Sequence, residues 1–419
     1  MKSLRHFPEA TLSINRVFHF TLILIPFTFP YFQLVFFNVL MVLLTLLWLV
    51  KKNFKERILS IKNNPVALLF ISTYIIYVIC LIYSEDKATG AWILEKRLAI
   101  LLFPFILATE NLDKRLVHKI LWSFVASCLL ATLICLGNII YYDVVANGSL
   151  TSLTFDSFER ERFSSFIPIH PPYFSLYLTF AIIILGYILM THWVEWSWQK
   201  KNAVTSLIVY FLIINLLLSS RMPLIFLALV FIILSIKHIF KHLLLGAIVL
   251  VIVAGMLIFL LNQYTLLQDR FREITETEWS PPVGIYHNST NMRVGIFICT
   301  TSLLKENWLL GLGTGNTQQN LNSCYEEKGY SDVLYKLEYN AHNEYFNTWL
   351  NTGIAGLLLF VLSLFLPLRK AYKRKHYLYL AFLCLIILFC ATECLLERQK
   401  GIVFYAFFNS LFAFHYKPL

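Results

Sequence analysis

Apolar runs of membrane-spanning length recur from one end of this chain to the other, and no other feature constrains its fold as strongly. Each span needs roughly 20 apolar residues to cross the hydrocarbon layer. A soluble core of this size would not repeat that pattern end to end. Of the 419 residues, 58% are hydrophobic and 14% charged, and mean hydropathy is +0.66. A soluble domain is nearer half apolar and a quarter charged. Twelve candidate helices follow, over residues 17–30, 33–50, 65–83, 98–108, 120–141, 166–190, 203–218, 223–236, 243–261, 344–366, 377–391 and 402–416. The fourth is short and has polar neighbours. The expected fold class is an all-α polytopic membrane protein. The first run lacks a small-residue cleavage site and a second follows at once, so it reads as a retained span rather than a signal peptide.

The net charge of +11 invites a nucleic-acid reading, but the distribution of charge argues against one. With the N-terminus in the cytoplasm and helices alternating, cytoplasmic segments hold 21 of the 35 Lys and Arg and 5 of the 24 acidic residues. The clusters from Lys51 to Lys62 and from Arg369 to Lys375 dominate. Basic residues accumulate on the cytoplasmic side of membrane proteins, where anionic lipid attracts them. The partner of this charge is the bilayer, with no nucleic acid implied. Both termini fall in the cytoplasm. Three parts of one integral membrane domain result: helices one to nine over 1–261, a large outer unit over 262–341, and helices ten to twelve over 342–419.

The eight cysteines form no CxxC pair and no metal-type spacing. Cys80, Cys128, Cys135, Cys384 and Cys390 sit in apolar runs, where Cys acts as a small hydrophobe. Cys299 and Cys324 share the outer unit, either as a pair or as two separate thiols. The turn GLGTGN (311–316) has no βαβ context, so it is no dinucleotide fingerprint. No P-loop, outer DxD or HExxH appears. The acidic triplets at 159–161 and 276–278 read as solvated charge rather than metal ligands. No metal and no cofactor are expected.

Polar chemistry collects at outer helix ends. Helix eight opens with SSRMP, and a helix N-terminus offers bare N–H groups and partial positive charge. Arg221 adds a planar fork suited to phosphate oxygens. Together they suit a diphosphate; the alternative is an arginine snorkelling to the interface. Helix ten opens with AHNEYFNTWLNTGIAG. His342, Phe346, Trp349, Gly353 and Gly356 share one helical stripe, whose glycines let another helix approach. Asn343, Asn347 and Asn351 form an adjacent polar strip that is costly against lipid and should face protein or a wet cavity. The positive helix end disfavours imidazolium, leaving His342 either a neutral general base or an interfacial histidine capping its own helix. Arg293 lies on an amphipathic helix of the outer unit and alone reads as a surface arginine. Glu393, Glu397 and Arg398, in TECLLERQKG, read as a salt-bridge network within their loop. His170, in IHPPY, reads as a packed or capping residue.

The stretch HNEYFNTWLNTGIAG fits H-N-x9-G-x-x-G with His342, Asn343, Gly353 and Gly356 in register. This resembles the signature of the O-antigen ligase and polymerase superfamily. RVGIF and KENWLLGLGTGN, carrying Arg293, resemble the family's stretch before that histidine. SSRMPLI resembles its earlier arginine-bearing helix start, with Ile225 where the family has leucine. IHPPYFSLYL and ECLLERQKG resemble segments of ligase-like members. The likeness runs from about residue 166 to 401. It implies a lipid-dependent, GT-C-like glycosyltransferase of the bacterial inner membrane with its site facing the periplasm. The implied donor is an undecaprenyl-diphosphate-linked glycan, used without metal and with inversion. Arg221 and Arg293 would hold the diphosphate and His342 would deprotonate the acceptor, with Asn343, Gly353, Gly356, His170, Glu393 and Arg398 in support. The leading expectation is ligation of glycan to a lipid A–core sugar. Polymerisation onto another lipid-linked glycan and protein O-glycosylation share the donor chemistry. A transporter or flippase would instead place polar residues at the bilayer midplane within repeated halves.

Overall fold

A computed structural model describes residues 7–31, 34–51, 53–146, 160–167, 169–218, 220–239, 279–284 and 288–415. Among these residues the chain is helical apart from turns and one isolated bridge between Val283 and Tyr330. The first half comprises α1 (Phe7–Phe27), α2 (Leu34–Val50), α3 (Phe54–Lys62), α4 (Pro65–Ile82), α5 (Lys87–Leu107) and α6 (Lys114–Ile140), the last running into a π-helical turn at Tyr141–Ala146. Then come α7 (Arg160–Ser164), α8 (Pro171–Thr191), α9 (Trp198–Leu217) and α10 (Arg221–Ile239). The outer unit contributes α11 (Ser289–Asn307), α12 (Thr317–Glu327) and α13 (Val333–Lys336). The chain finishes with α14 (Glu344–Lys373), α15 (Tyr377–Cys390) and α16 (Gln399–Phe414).

Five helices among the described residues are long and apolar enough to cross a membrane: α4, α6 with its π turn, α8, α9 and α14. The sharply bent pair α2 and α3 makes a sixth if counted as one span. Shorter apolar stretches occur at Ile14–Phe27, Arg221–Phe231 and Tyr377–Cys390. The helix expected over 243–261, and residues 262–278 with their acidic triplet, lie outside the described residues.

The centre is aromatic. Every residue of α16 from Gly401 to Phe412 is buried. Its Phe404, Phe407 and Phe408 meet Phe29, Phe103, Phe124 and Phe180 at ring-centroid distances of 4.9–6.3 Å. A helix enclosed in this way is held by close packing and ring-edge contacts instead of by contact with lipid.

Two expectations about helices change. The fourth helix starts at Lys87, well before residue 98. Asp86 caps it by accepting from Thr89 N–H, and Gly90 lies against the Thr314 carbonyl of the GLGTGN turn. That turn therefore covers the polar front of α5. Asn316 accepts from Asp86 N–H and Ser84 Oγ, and Thr314 Oγ donates to the Tyr77 carbonyl.

Helix ten is not one continuous stripe. Within α14, Gly353 has φ 65° and ψ −170°, a conformation open in practice to glycine alone. Its Cα faces the backbone of Leu309 and Leu310, and Ile354 N–H donates to the Trp308 carbonyl while Leu312 N–H donates to that of Leu350. The glycine therefore admits a loop, not a helix, and Gly356 sits under the Thr352 side chain. The break separates α14 into a section over 344–352, outer in the topology that the charge bias assigns, and a long section beyond it.

Lys51 and Arg57 both reach Glu110, at 2.6 and 4.0 Å, joining two segments that the charge distribution assigns inward. Segments assigned outward gather at the site described next.

Candidate functional site

The outer section of α14 is fixed residue by residue. His342 precedes it in a left-handed conformation, φ 43°, uncommon for a residue with a side chain, and its N–H donates to Asn340 Oδ1. Asn343 caps the helix by accepting from the N–H groups of Tyr345 and Phe346 and donates to the Ala391 carbonyl. Glu344, fully buried, accepts from Leu396 N–H and Thr348 Oγ and lies 3.8 Å from the Arg97 guanidinium. Arg97 in turn stacks on the Tyr77 ring at 3.9 Å. Breaking a buried pair of this kind typically costs about 3–5 kcal/mol. Arg97 and Glu344 therefore anchor the helix that presents His342. Neither has a signature in the sequence beyond an acidic residue in a first helical turn.

Loop 391–398 is held from the other side. Tyr173 of α8 donates to the Cys394 carbonyl, and Tyr177 to that of Lys400. The expected salt-bridge network within this loop does not form. Glu393 reaches across the chain instead, with one oxygen 3.5 Å from Arg293 and the other 3.6 Å from His342 Nδ1. Glu397 accepts from Asn340, while Arg398 is exposed. The Arg293 pair is 41% exposed on the arginine side, where such bridges contribute about 0–1 kcal/mol. Glu393 thus does little for stability and more for the placement of two other groups. Burial alone would raise its carboxyl, but the His342 ring, Arg293 and His170 outweigh burial and hold it below the ordinary glutamate range. Glu397 is raised, chiefly by burial, against the pull of Arg97, Asn340, Lys96 and His342.

A cavity of about 430 Å³ brings the sequence candidates together: Arg221, Arg293, His342, His170 and Glu393 all line it. Four helices begin at its wall. Arg221 starts α10, Asn288 caps α11 just ahead of Met292 and Arg293, His170 occupies the N-cap position of α8, and His342 stands just before α14. Each N-terminus adds up to about half a positive charge. His170 makes no side-chain capping bond, and its exposed ring meets that of Tyr173 edge-on at 6.5 Å, so of the two expected roles it has the packing contact and not the cap. The Tyr339 ring lies 5.6 Å from that of His342.

A second cavity, about 1280 Å³, adjoins the first and shares His170. Asn347 and Asn351 of the polar strip line it, with Lys96, Arg97, Glu397 and Lys400. Asn343 is instead engaged at the helix cap. Gly353 and Gly356 line neither cavity and act through the backbone of α14. Among the described residues no three His, Cys, Asp or Glu side chains converge as a metal site.

The outer unit has a small core of its own, including Met292, Ile296, Leu321, Tyr325 and Leu334. Cys299 and Cys324 form a disulfide across it, joining α11 to α12 and resolving the alternative left open by spacing. Compared with known proteins, residues 205–361 match the family model described as O-antigen ligase, a little over a third of the chain. The match contains Arg221, Arg293, His342, Gly353 and Gly356. No curated protein matches the chain.

Proposed function

We propose that this membrane protein, whose residues 205–361 match an O-antigen ligase family model, transfers a glycan from undecaprenyl diphosphate to a lipid A–core sugar at the outer face of the inner membrane. One observation carries the reading: an imidazole and two guanidinium groups, from distant parts of the chain, line one small cavity. In this reading the donor diphosphate lies against Arg221, Arg293 and the surrounding helix N-termini. Charge develops on the phosphate oxygen as the glycosidic bond breaks, and preorganised cations aimed at that charge are the largest source of catalysis in such transfers. Glu393 faces His342 Nδ1, leaving Nε2 to take the acceptor hydroxyl proton. The acceptor oxygen bonds to the anomeric carbon from the face opposite the diphosphate, inverting it, and the lipid diphosphate departs. The adjoining larger cavity suits the acceptor glycan.

The test is transfer by the full chain in lipid nanodiscs, with a lipid-diphosphate oligosaccharide as donor. The acceptors offered separately are lipid A–core, a second lipid-linked glycan and a Ser/Thr-rich protein. Product on lipid A–core is expected. Product on either other acceptor alone reassigns the enzyme to polymerisation or protein glycosylation. His342→Ala should lower turnover by about 100- to 10,000-fold, the usual contribution of a general base, while donor binding persists. Wild-type turnover in that variant would remove the base from the mechanism.

A further inference from the structure

The floor of the larger cavity is built unlike an ordinary protein surface. Arg97, Asn347 and Asn351 are 2%, 1% and 4% exposed, and each has a buried polar atom with no hydrogen-bond partner in the protein: Nη1, Nδ2 and Oδ1 respectively. The ammonium nitrogen of Lys400 is in the same condition. All four residues line this cavity. Buried polar groups in folded proteins are nearly always paired. Three donors and one acceptor left unpaired around one cavity are groups that a polar ligand can satisfy.

The charges on this wall narrow the ligand's chemistry. Lys96, Arg97, Arg398 and Lys400 stand here against Glu397, with Glu344 behind Arg97. Lys96 is partly occupied, its ammonium 3.4 Å from the centre of the Trp92 ring. The floor therefore carries surplus positive charge beside amide groups that pair with hydroxyls. Acidic residues, Asp86, Glu326 and Glu338, lie on other segments lining the cavity. A neutral sugar would satisfy the amides and leave the Lys400 ammonium uncompensated and Nη1 of Arg97, whose charge Glu344 meets from the other side, without an anionic partner. A guanidinium and an ammonium lining one cavity match a carboxylate or phosphate through charge-assisted hydrogen bonds.

The geometry points to a second ligand site here, for an acidic saccharide: Arg97 and Lys400 take its anionic group, and Asn347 and Asn351 its hydroxyls. The inference rests on the transferase reading, in which this cavity receives the acceptor, and narrows that acceptor to a glycan bearing a carboxylate or phosphate.

The experiment is saturation-transfer NMR on the full chain in nanodiscs, with trigalacturonate, mannose 6-phosphate and neutral maltotriose as probes. Trigalacturonate, mannose 6-phosphate or both should bind, and maltotriose should not. Binding of one acid alone identifies the carboxylate or the phosphate as the recognised group. Lys400→Gln and Asn351→Ala break no protein ion pair and should each weaken acid-sugar binding roughly tenfold, the loss of about one hydrogen bond to a charged or buried group. Both should keep wild-type binding of undecaprenyl diphosphate, which also reports that they fold. Equal binding of maltotriose and the acids, no binding of either acid, or acid binding indifferent to both substitutions overturns the proposal. Arg293→Ala, unlike Lys400→Gln and Asn351→Ala, should lower undecaprenyl diphosphate binding. If that lipid binds nowhere while the acid signal follows Lys400, the transferase reading fails and the acidic-sugar site stands.

Discussion

Glu393 is the side chain on which the small cavity turns. It lies within 3.6 Å of both a cation and an imidazole contributed by segments about 50 and 100 residues away, a relation that no local spacing reveals. His342, Arg293 and Arg221 were legible as candidates because each stands at a helix start or in a signature. Glu393 was legible only as one charge among three, because its partners are brought to it by the fold. Its depressed carboxyl fixes the sign of a pH effect. A carboxylate held below its unfolded value contributes stability above that value and loses it as pH falls through the folded value. The Glu393 carboxylate should therefore stay charged at neutral pH and take up its proton only below the ordinary glutamate range. Glu397, raised by burial, acts in the opposite sense: its contribution is present at low pH and lost as pH rises through its folded value. Glu393→Gln should lower turnover at pH 7 on the order of tenfold, by leaving the ring unoriented, while changing stability little. Undiminished turnover in Glu393→Gln would show that His342 needs no such partner.

At the scale of elements, the break in α14 decides where His342 stands. The sequence pattern drew residues 344–366 as one stripe, since Gly353 and Gly356 fit helical spacing as well as they fit a break. What spacing could not reveal is that the backbone after α11 runs against Gly353. A Cβ there would lie 2.1 Å from the Leu309 carbonyl oxygen, and the neighbours are main-chain atoms that cannot turn aside. Overpacking and a glycine-only conformation cost about 1–3 kcal/mol each. Gly353→Ala should lower the unfolding midpoint in detergent by several degrees and impair transfer, although it touches no cavity. An unchanged midpoint would mean that the loop yields. The disulfide is the second element-scale device. It closes a loop of 25 residues, a constraint worth about 3–4 kcal/mol on a chain-entropy estimate, and it ties down the helix that carries Arg293. Replacing Cys299 and Cys324 by Ser should destabilise the outer unit and weaken donor binding, while buried Cys394 stays unreactive to maleimide. Donor affinity indifferent to the pair would confine the bridge to stability.

Taken whole, the charge bias read from the sequence groups the segments by side, and that grouping joins the sequence to the site. The apolar runs and the bias of Lys and Arg predicted which segments share a side. The structure brings residues 86–97, 170–173, 220–225, 288–296, 315–342 and 392–400 to two adjoining cavities. It joins residues 48–57 to 109–110 elsewhere, through Trp48, Lys51 and Arg57. A chain threaded in the opposite sense would leave the same contacts but turn both cavities toward the cytoplasm, where Lys51 to Lys62 and Arg369 to Lys375 would face outward against the usual bias. Orientation is therefore a separate claim from convergence and needs its own measurement. Single cysteines introduced at Lys328 and Glu338, both exposed, and at Lys55, exposed in α3, provide it. In spheroplasts, a membrane-impermeant maleimide should label the first two and spare Lys55→Cys until the membrane is opened with detergent. Labelling of Lys55→Cys with protection of the other two would place the arginines and His342 on the cytoplasmic side. A transferase acting at the outer face would then be excluded, even with every contact in the two cavities intact.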